Sequence, residues 1–479
     1  MSFCFPHLHR RGPVTLAVTL AVTLAVALAG AAVVLAVTPA GAQLPAPTDS
    51  VAAGTRPVTL SEALRLANQN APQTVSARGT VRSNQAQVRA AYGAFLPSVN
   101  ANVGAVRQYT GGSVTHVNSS GEQVTVNGNR WTYSNGLSFS AQLFNLDRFP
   151  RLNAAKANVT AAEQNVVVQS YTVDLSVEQQ FFAALAAREG EDAARTQLAQ
   201  AQEELIASRR RVIAGAATAS DSLRSAQAVA QAQLALATAQ SNRRDANAAL
   251  TRLVGSDVPL AASLTDPQVL ALDTVRVDSA AVVAHAQLAP TVNQAQAQLS
   301  VAHANRQVAR AAYFPTVNVG YSRGGSGLDS RFGFGGDPFA YSGQLNLSLN
   351  YPLFNQFSRE ASVAQATVAE NNAAATLRDT RLQATQLSVQ YIDALRLGQL
   401  QVAVQNATIA AAQEDLRVQR QRYDLGLSTI VDVLTAQTAL NQARADLITA
   451  RNTVRLAAAR IETLIGQPLS TVAAQGVTP

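Results

Sequence analysis

Two stretches of the chain, RVIAGAATASDSL at 211–223 and RYDLGLSTIVDVL at 422–434, carry the same pattern of glycine, threonine and aspartate. Gly215 in the first aligns with Gly426 in the second, at an offset of 211 residues (426 − 215). The threonine and aspartate that follow align at the same offset. A pattern that recurs in this way indicates an internal repeat, and the repeat decides how the rest of the chain is interpreted.

The similarity extends well beyond this loop. LTRLVG at 250–255 matches IETLIG at 461–466 at the same offset, and QLFN at 142–145 matches PLFN at 352–355. We therefore predict two tandem copies. The predicted segments are an N-terminal linker over 43–56, a first repeat over 57–257, an inter-repeat linker over 258–274, a second repeat over 275–467 and a C-terminal tail over 468–479.

The first 42 residues have the features of an export signal. Arg10 and Arg11 precede an apolar run over 14–37, and AGA at 40–42 supplies small residues for cleavage. The alternative is a retained membrane anchor, because the run is longer than a typical signal core. Cys4 is the only cysteine and lies ahead of the run, so a mature chain would contain neither a disulfide nor a lipidated first cysteine.

Charge and residue chemistry argue against several functions. The formal net charge is +7, and no block of like charge suggests a nucleic-acid partner. The histidines outside the leader are His116, His285 and His303, and they show no metal-ligand spacing. The Gly-rich stretch at 324–336 leads into a strand, whereas a phosphate-binding loop leads into a helix, so we predict a surface loop there. We predict neither an enzyme nor a cofactor.

Two long stretches without proline, about 151–254 and 355–465, predict helices, because Ala, Gln, Leu, Arg and Glu are good helix formers. Gly215 and Gly426 divide each stretch into a longer and a shorter arm. We therefore predict two helical hairpins with their tips at these glycines. The longer arm would span on the order of 100 Å, and a helix of that length requires lateral packing of the coiled-coil kind.

The segments ahead of each helical hairpin alternate between polar and apolar residues. WTYSNGLSFSAQLF at 131–144 and FAYSGQLNLSLNY at 339–351 keep a period of two, which is typical of a strand with one wet and one apolar face. Weaker partners at about 98–109 and 316–322 complete two β-hairpins. These strands are long enough to cross a membrane and have aromatic residues at their ends. The alternative is a soluble hairpin that packs on a helix.

A membrane location for these strands requires an oligomer. Single-chain outer-membrane barrels have at least about eight strands, because an open sheet edge cannot lie in lipid. Several chains together would close both a β-barrel and an α-helical barrel. The polar strand faces carry Ser, Thr, Asn and Gln without charge, which favours a permissive conduit over a charge-selective pore.

Five segments, in this order, share a pattern with a known family: LSEALRLANQNAP at 60–72, AAYGAFLPSVN at 90–100, FPRLNAAKANV at 149–159, YDLGLSTIVDVLTAQTALNQARADL at 423–447 and ARIETLIGQPL at 459–469. Together with the duplication they resemble the TolC-like outer-membrane efflux family. The resemblance covers nearly all of the chain after the leader. It implies an α+β membrane protein, a homotrimer whose 12-stranded β-barrel (four strands per chain) lies in outer-membrane lipid and continues as a long α-helical barrel through the periplasm.

The resemblance also implies a function and partners. Such channels are the outer-membrane exit duct of a tripartite efflux or type I secretion system. They passively conduct substrates from an inner-membrane pump and a periplasmic adaptor protein to the exterior. A non-conducting helical scaffold of the cell envelope is the alternative function, and the paired alternating strands favour the duct.

In this family the helical tips close the periplasmic end and contact the adaptor. The positions that match make Asp432 and Tyr423 candidates for a periplasmic gate, while a second acidic position falls on Thr435 and a linking arginine falls on Ser428. The candidates for the tip turns and for adaptor contact are Gly215, Thr218, Asp221, Gly426, Leu427, Ser428 and Thr429. The basic residues beside the tips, which are candidates for docking, are Arg209, Arg211, Arg420 and Arg422.

Each of these residues also has a purely structural interpretation. Thr218 with Asp221 and Thr429 with Asp432 match the pattern [ST]-x-x-[DE], which predicts a capping box at the start of the returning helix. The arginines lie where a solvated helix end favours positive charge. One carboxylate can serve as both cap and gate, so both interpretations of Asp432 remain.

Overall fold

We describe the fold from a computed structural model, which defines residues 55–107, 114–117, 123–126, 131–263, 277–329 and 340–469. The predicted export signal, with its alternative as an anchor, lies outside the described residues. So do almost all of the N-terminal linker and C-terminal tail, and residues 264–274 of the inter-repeat linker.

The two repeats have the same order of elements, with two short helices, two strands and a long helical hairpin in each. The first contains α1 (Leu60–Asn70), α2 (Pro72–Gly93), β2 (Ser98–Arg107), β5 (Trp131–Asn145), α3 (Arg148–Ile213) and α4 (Ala219–Val254). The second contains α5 (Ser279–Ala286), α6 (Pro290–Ala311), β7 (Thr316–Asp329), β8 (Ala340–Asn350), α7 (Ser358–Asp424) and α8 (Ile430–Ile465). Short strands complete the described chain: β1 (Arg56–Val58), β3 (Val114–Val117), β4 (Gln123–Val126) and β6 (Leu260–Ala262).

The longer arms, α3 and α7, are 66 and 67 residues long, and each returning arm has 36 residues. Helix α3 begins ahead of the predicted start at 151, because Pro150 lies in its first turn, where a missing N–H costs no helical hydrogen bond. Helix α7 begins later than the predicted 355. Gln356 and Phe357 adopt positive φ of 58° and 61°, which an α-helix does not permit.

The largest buried side chains lie midway along α3, where the short helices pack against it. Phe181, Phe182 and Leu185 are at most 1% exposed, and they share a core with α1, α4, β1 and β6. Burial of each such side chain contributes about 1.5–3 kcal/mol. Strands β1 and β6 pair in parallel, so part of the predicted inter-repeat linker is built into this core.

The four long strands form one antiparallel sheet in the order β2-β5-β7-β8. The predicted β-hairpins therefore join each other through β5 and β7. Paired residues share a face, and the register places Val99, Phe139, Tyr321 and Leu345 in one row across the sheet. The next row, on the opposite face, contains Asn100, Ser138, Ser322 and Gln344. One face is thus mainly apolar and the other mainly polar.

The structure corrects the prediction for the strand at 316–322 and the loop at 324–336. Strand β7 continues to Asp329, so 324–329 is strand, and 330–336 lies outside the described residues. Glycine is needed at one of these positions, because a Cβ on Gly325 would lie 2.7 Å from the Tyr341 ring. Pairing with β5 keeps residues 324–329 in a strand, although their own strand propensity is low.

Among the described residues, no helix is both long enough and apolar enough to cross a membrane.

Gly398 of α7 and Gly190 of α3 are a matched pair for testing how closely the long helices pack. A Cβ on Gly398 would lie 2.9 Å from Cγ2 of Val454 in α8, whereas Gly190 has no such neighbour within 4 Å. Overpacking costs about 1–3 kcal/mol, and alanine gains roughly 1 kcal/mol of helix propensity over glycine. We expect Gly398→Ala to lower the unfolding temperature, measured by circular dichroism, and Gly190→Ala to raise it. Destabilisation by Gly190→Ala would contradict the open space at that position.

Candidate functional site at the helical tips

Both tips turn through a glycine with left-handed backbone geometry. Gly215 has φ of 70° and Gly426 has φ of 75°. Beyond each glycine a backbone N–H returns to the last helical turn, from Ala216 to the Arg211 carbonyl and from Leu427 to the Arg422 carbonyl, at 2.8 Å in both cases. This is the Schellman arrangement, which favours glycine because a Cβ is strained at positive φ.

The predicted capping boxes are present at both tips. In the first, the Thr218 backbone N–H donates to Oδ2 of Asp221 at 3.0 Å. In the second, Oδ2 of Asp432 accepts from the Thr429 backbone N–H at 2.9 Å. It also accepts from the hydroxyls of Thr429 at 2.8 Å and Ser428 at 2.9 Å. The second box therefore holds its carboxylate with more donors than the first.

These donors favour the charged form of Asp432. The Thr429 backbone N–H lowers the pKa of the Asp432 carboxyl most, and the hydroxyls of Thr429 and Ser428 and the positive charge of Arg422 act in the same direction. Asp432 is exposed to solvent. The helix cap thus keeps a solvent-facing negative charge fixed at the tip of the second repeat.

Arg211 connects the two tips. Its guanidinium carbon lies 4.3 Å from the centre of the Tyr423 ring, and its Nη1 lies 3.3 Å from Oδ1 of Asp424. Tyr423 is only 5% exposed, and burial, followed by the negative charge of Asp221, raises the pKa of its hydroxyl. We call Arg211, Tyr423 and Asp424 the tip latch. It joins the end of α3 in the first repeat to the end of α7 in the second.

A polar seam continues from the tip latch along the helices. Arg420 lies 3.6 Å from Oε2 of Glu204 and donates to Oε1 of Gln437 at 3.3 Å. Gln437 in turn donates to Oε1 of Gln200 at 2.7 Å. These residues line a cavity of about 560 Å³ between α3, α4 and α8. The seam therefore joins the repeats through side-chain hydrogen bonds and one ion pair.

The predicted tip residues fall into three groups. Arg211, Arg420 and Tyr423 are engaged between the repeats, where each arginine has an acidic partner in the other repeat. The exposed group contains Gly215, Thr218, Gly426, Leu427, Thr429, Asp432, Arg209 and Arg422. Asp221 and Ser428 are half-buried within the capping boxes.

Sequence reasoning missed two apolar residues at the extreme tips. Ile213 is 87% exposed and Leu425 is 75% exposed, beside Leu427 at 67%. The sequence indicates these residues by placing an apolar side chain next to a turn glycine, because no core is available at a turn to bury that side chain. The tips therefore present apolar and charged side chains together.

It also missed three carboxylates in the interior: Asp174 and Glu178 of α3 and Glu462 of α8. The Asn68 amide donates to Asp174 at 2.5 Å, and the Leu469 backbone N–H donates to Glu462 at 2.8 Å. Burial raises the pKa of Asp174 to about 6, and burial together with Glu462 and Asp174 raises that of Glu178 to about 8. In the part of the chain that the structure describes, no group of acidic, histidine or cysteine side chains could hold a metal ion.

The chain consists of two tandem helical hairpins on a four-stranded sheet, and comparison with known proteins identifies the family that has this architecture. The family model "Outer membrane efflux protein" matches residues 63–256 and 283–467. The chain therefore belongs to the outer membrane efflux protein family. It is an outer-membrane protein whose long helices form a periplasmic extension.

Individual relatives agree with this assignment. The pyoverdine export outer membrane protein OpmQ of Pseudomonas aeruginosa is 27% identical over 420 residues, covering 85% of this chain and 83% of that protein. The outer membrane protein TolC of Vibrio cholerae is 23% identical, covering 85% and 90%. The solved structure of CusC matches the fold with a TM-score of 0.69 at 20% identity, covering 90% of this chain and 99% of CusC. This is a family of efflux ducts and not of enzymes.

Glu178 predicts an unusual dependence of stability on pH. Its pKa is about 8 in the folded protein against 4.5 normally, so between these values the folded state binds more protons than the unfolded state, and stability falls as pH rises. We expect Glu178→Gln to flatten this fall and to stabilise the protein at pH 8, by a few kcal/mol at about 1.4 kcal/mol per pKa unit. Chemical denaturation at pH 5 and pH 8 measures the effect. Glu163→Gln, an exposed position on the same helix, is the control and leaves the slope unchanged.

Proposed function

We propose that three copies of this chain form the outer-membrane exit duct of a tripartite efflux or secretion system. The duct passively conducts substrates that an inner-membrane pump and a periplasmic adaptor deliver. Twelve strands, four from each copy, form a closed barrel in the membrane. The helical hairpins of the three copies continue it as a tunnel through the periplasm.

The apolar face of the sheet carries this proposal. Leu345, Leu347 and Leu349 are 72%, 67% and 70% exposed in the single chain. Such a continuous apolar surface needs a cover, and its alternation with an uncharged polar face is the pattern of a membrane barrel with lipid outside and water inside. A non-conducting scaffold has no use for the polar face.

The strand directions support closure by several copies. Within the described chain β2 and β8 are the sheet edges, and successive strands are antiparallel. With four strands in alternation, β8 of one copy runs opposite to β2 of the next, so the same antiparallel ladder continues across the boundary between copies. An open edge would leave backbone groups unpaired in lipid.

The tips supply the gate and the docking surface. The tip latch holds the second hairpin to the first, and breaking it frees the tips of α7 and α8 to move outward. Threefold symmetry places three Asp432 carboxylates around the aperture. The exposed Ile213, Leu425 and Leu427, with Arg209 and Arg422 nearby, form the surface that contacts the adaptor.

Mass measurement in detergent and single-channel recording in a planar bilayer test the duct and its gate. We expect a trimer that conducts poorly in the wild type. Arg211→Gln removes the ring contact and the ion pair, which are together worth about 1–2 kcal/mol, and conducts more often or with larger current. Arg209→Gln, two residues away and exposed, behaves as the wild type. A stable monomer overturns the duct, and equal currents in all three proteins overturn the gate alone.

The two faces of β8 predict opposite responses to a charge. Leu347→Arg places a cation on the lipid side and costs about 2–4 kcal/mol near the midplane of the bilayer, whereas Asn346→Arg faces the water-filled interior and is tolerated. Denaturant titration of the protein folded into vesicles compares the two. Equal losses of stability would show that the assignment of the faces is wrong.

A variant of Asp432 distinguishes a role in the gate from a role as a helix cap alone. A ring of three carboxylates favours binding of multivalent cations, so Asp432→Asn should weaken block of the channel by such a cation added on the periplasmic side. Asp221→Asn changes the equivalent cap in the first repeat and should leave block unchanged. Equal block in the wild type and both variants leaves the helix cap as the whole role of Asp432.

A further inference from the structure

Exposed aromatic residues gather at the end of the sheet that lies nearest the helices. In the first repeat Tyr92 and Phe95 lie where α2 leads into β2, and Phe149 lies in the first turn of α3. All three are exposed, and the Phe95 and Phe149 rings meet edge to face with 5.4 Å between their centres. Aromatic residues at strand ends are typical of the belt that marks the edge of the hydrocarbon core of a membrane.

A single lysine extends this aromatic group along the helices. Lys156 is the only lysine in the chain, and its Nζ lies 5.5 Å from the centre of the Tyr92 ring. It follows Phe149 by seven residues, about two helical turns, so the two side chains share a face of α3. Within the described residues no carboxylate forms an ion pair with it. We call Tyr92, Phe95, Phe149 and Lys156 the aromatic ledge.

The spacing along α3 allows one lipid molecule to contact the whole ledge. Seven residues separate the Phe149 and Lys156 backbones by about 10 Å. Helical side chains lean toward the N-terminus, which for α3 is the end at the sheet, so the Lys156 ammonium lies closer to the sheet than its backbone does. The polar layer on each side of the hydrocarbon core is about 5–8 Å thick. With the rings at the edge of that core, the ammonium lies at the depth of the headgroups.

The charge around the ledge favours an anionic headgroup over a zwitterionic one. The ledge lies within residues 85–97 and 145–159, whose basic residues are Arg89, Arg148, Arg151 and Lys156. The acidic residue of these two segments is Asp147, and Arg151 pairs with it at 2.9 Å. The next carboxylate along α3 is Glu163, which lies seven residues farther from the sheet than Lys156.

The second repeat does not reproduce this arrangement. At the offset of QLFN and PLFN, 210 residues (352 − 142), Lys156 corresponds to Ala366. Arg359 does lie over an aromatic ring, 4.8 Å from the centre of Tyr313, but it also donates to the Pro352 carbonyl at 3.0 Å. That cation is therefore held by the backbone, and the aromatic ledge occurs once in each chain.

We propose that the aromatic ledge binds an anionic phospholipid of the phosphatidylglycerol type in the leaflet that faces the periplasm. This inference rests on the proposed insertion of the sheet into the outer membrane. The lipid phosphate contacts the Lys156 ammonium through a charge-assisted hydrogen bond, and the acyl chains lie against Phe95 and Phe149. The bound lipid fixes the depth in the membrane at which the strands end and the helices begin.

Native mass spectrometry of the full-length protein, with phosphatidylglycerol or phosphatidylcholine added to the detergent, tests the site. The wild type should bind phosphatidylglycerol about tenfold more tightly than phosphatidylcholine, which corresponds to about 1.4 kcal/mol. Lys156→Gln should abolish this preference and Lys156→Arg should keep it. Arg209→Gln at the tip is the control and retains the preference of the wild type. An equal preference in Lys156→Gln and the wild type would overturn the site.

Acetylation by an amine-reactive ester observes the ledge directly, because Lys156 is the only lysine. In vesicles, replacing part of the phosphatidylcholine with phosphatidylglycerol should slow acetylation of Lys156 severalfold, as measured by peptide mass spectrometry. Inorganic phosphate should have no effect, and equal protection by it would overturn a lipid-borne ligand. Arg209→Lys supplies a reference lysine at the tip. Equal slowing at both lysines would be a general effect of vesicle charge and would overturn the site.

Single-channel recording separates this inference from the proposed function. Lys156→Gln should form trimers that conduct as the wild type does in a phosphatidylcholine bilayer. Conducting trimers without any preference for phosphatidylglycerol would overturn the aromatic ledge and leave the duct intact. A stable monomer that does not conduct would overturn the duct, and with it the insertion on which the inference rests.

Discussion

Lateral packing of the long helices is the constraint on which the rest of the structure depends. A helix of 66 residues is about 100 Å long at 1.5 Å per residue and has no compact core around most of its length. It is stable only when neighbouring helices cover it along that length. The chain meets this need with small residues: Ala443, Ala450, Ala457 and Ala458 of α8 are buried, and Gly398 of α7 lies against Val454. Because small residues let the helices approach each other closely, few bulky apolar side chains are needed between them. The two sides of each helix therefore differ little in hydrophobicity.

The duplication produces two similar helical hairpins, and sequence differences between the two copies produce the contact between their tips. Both tips retain the glycine turn and the capping box, because each must reverse the chain and start a new helix. They differ at the residue before the turn, where Val212 corresponds to Tyr423. Only an aromatic ring can receive the Arg211 guanidinium in the observed geometry. Tyr423 in place of Val212 and Asp424 in place of Ile213 thus allow the first repeat to hold the second.

Charged groups lie in two different environments along the molecule. At the tips they are exposed or partly exposed and paired, as in the 3.3 Å contact of Arg211 with Asp424, so each ion pair is weak and can open. Where α3 packs beside α8, Asp174, Glu178 and Glu462 are buried near each other, and burial raises the pKa values of all three. The stability of the interior therefore depends on pH. The contact between the tips depends instead on weak ion pairs.

The sequence by itself determined the elements whose signals are local. Ala-rich, proline-free stretches predict the long helices, Gly215 and Gly426 predict the tips, and the [ST]-x-x-[DE] spacing predicts both capping boxes, because these features depend on residues within a few positions of each other. Strict alternation predicts β5 and β8 with their polar and apolar faces in the same way.

Only the tertiary structure decided which distant residues meet. Strand β7 extends through a Gly-rich segment because β5 and β8 pair with it on both sides. The tip latch joins residues 211 and 423, and packing brings Glu178 of α3 close to Glu462 of α8. Arg211 in a helix end and Glu178 in an Ala-rich helix have the local sequence of solvated positions. Their burial depends on the helix that packs beside them, and local spacing carries no information about that neighbour.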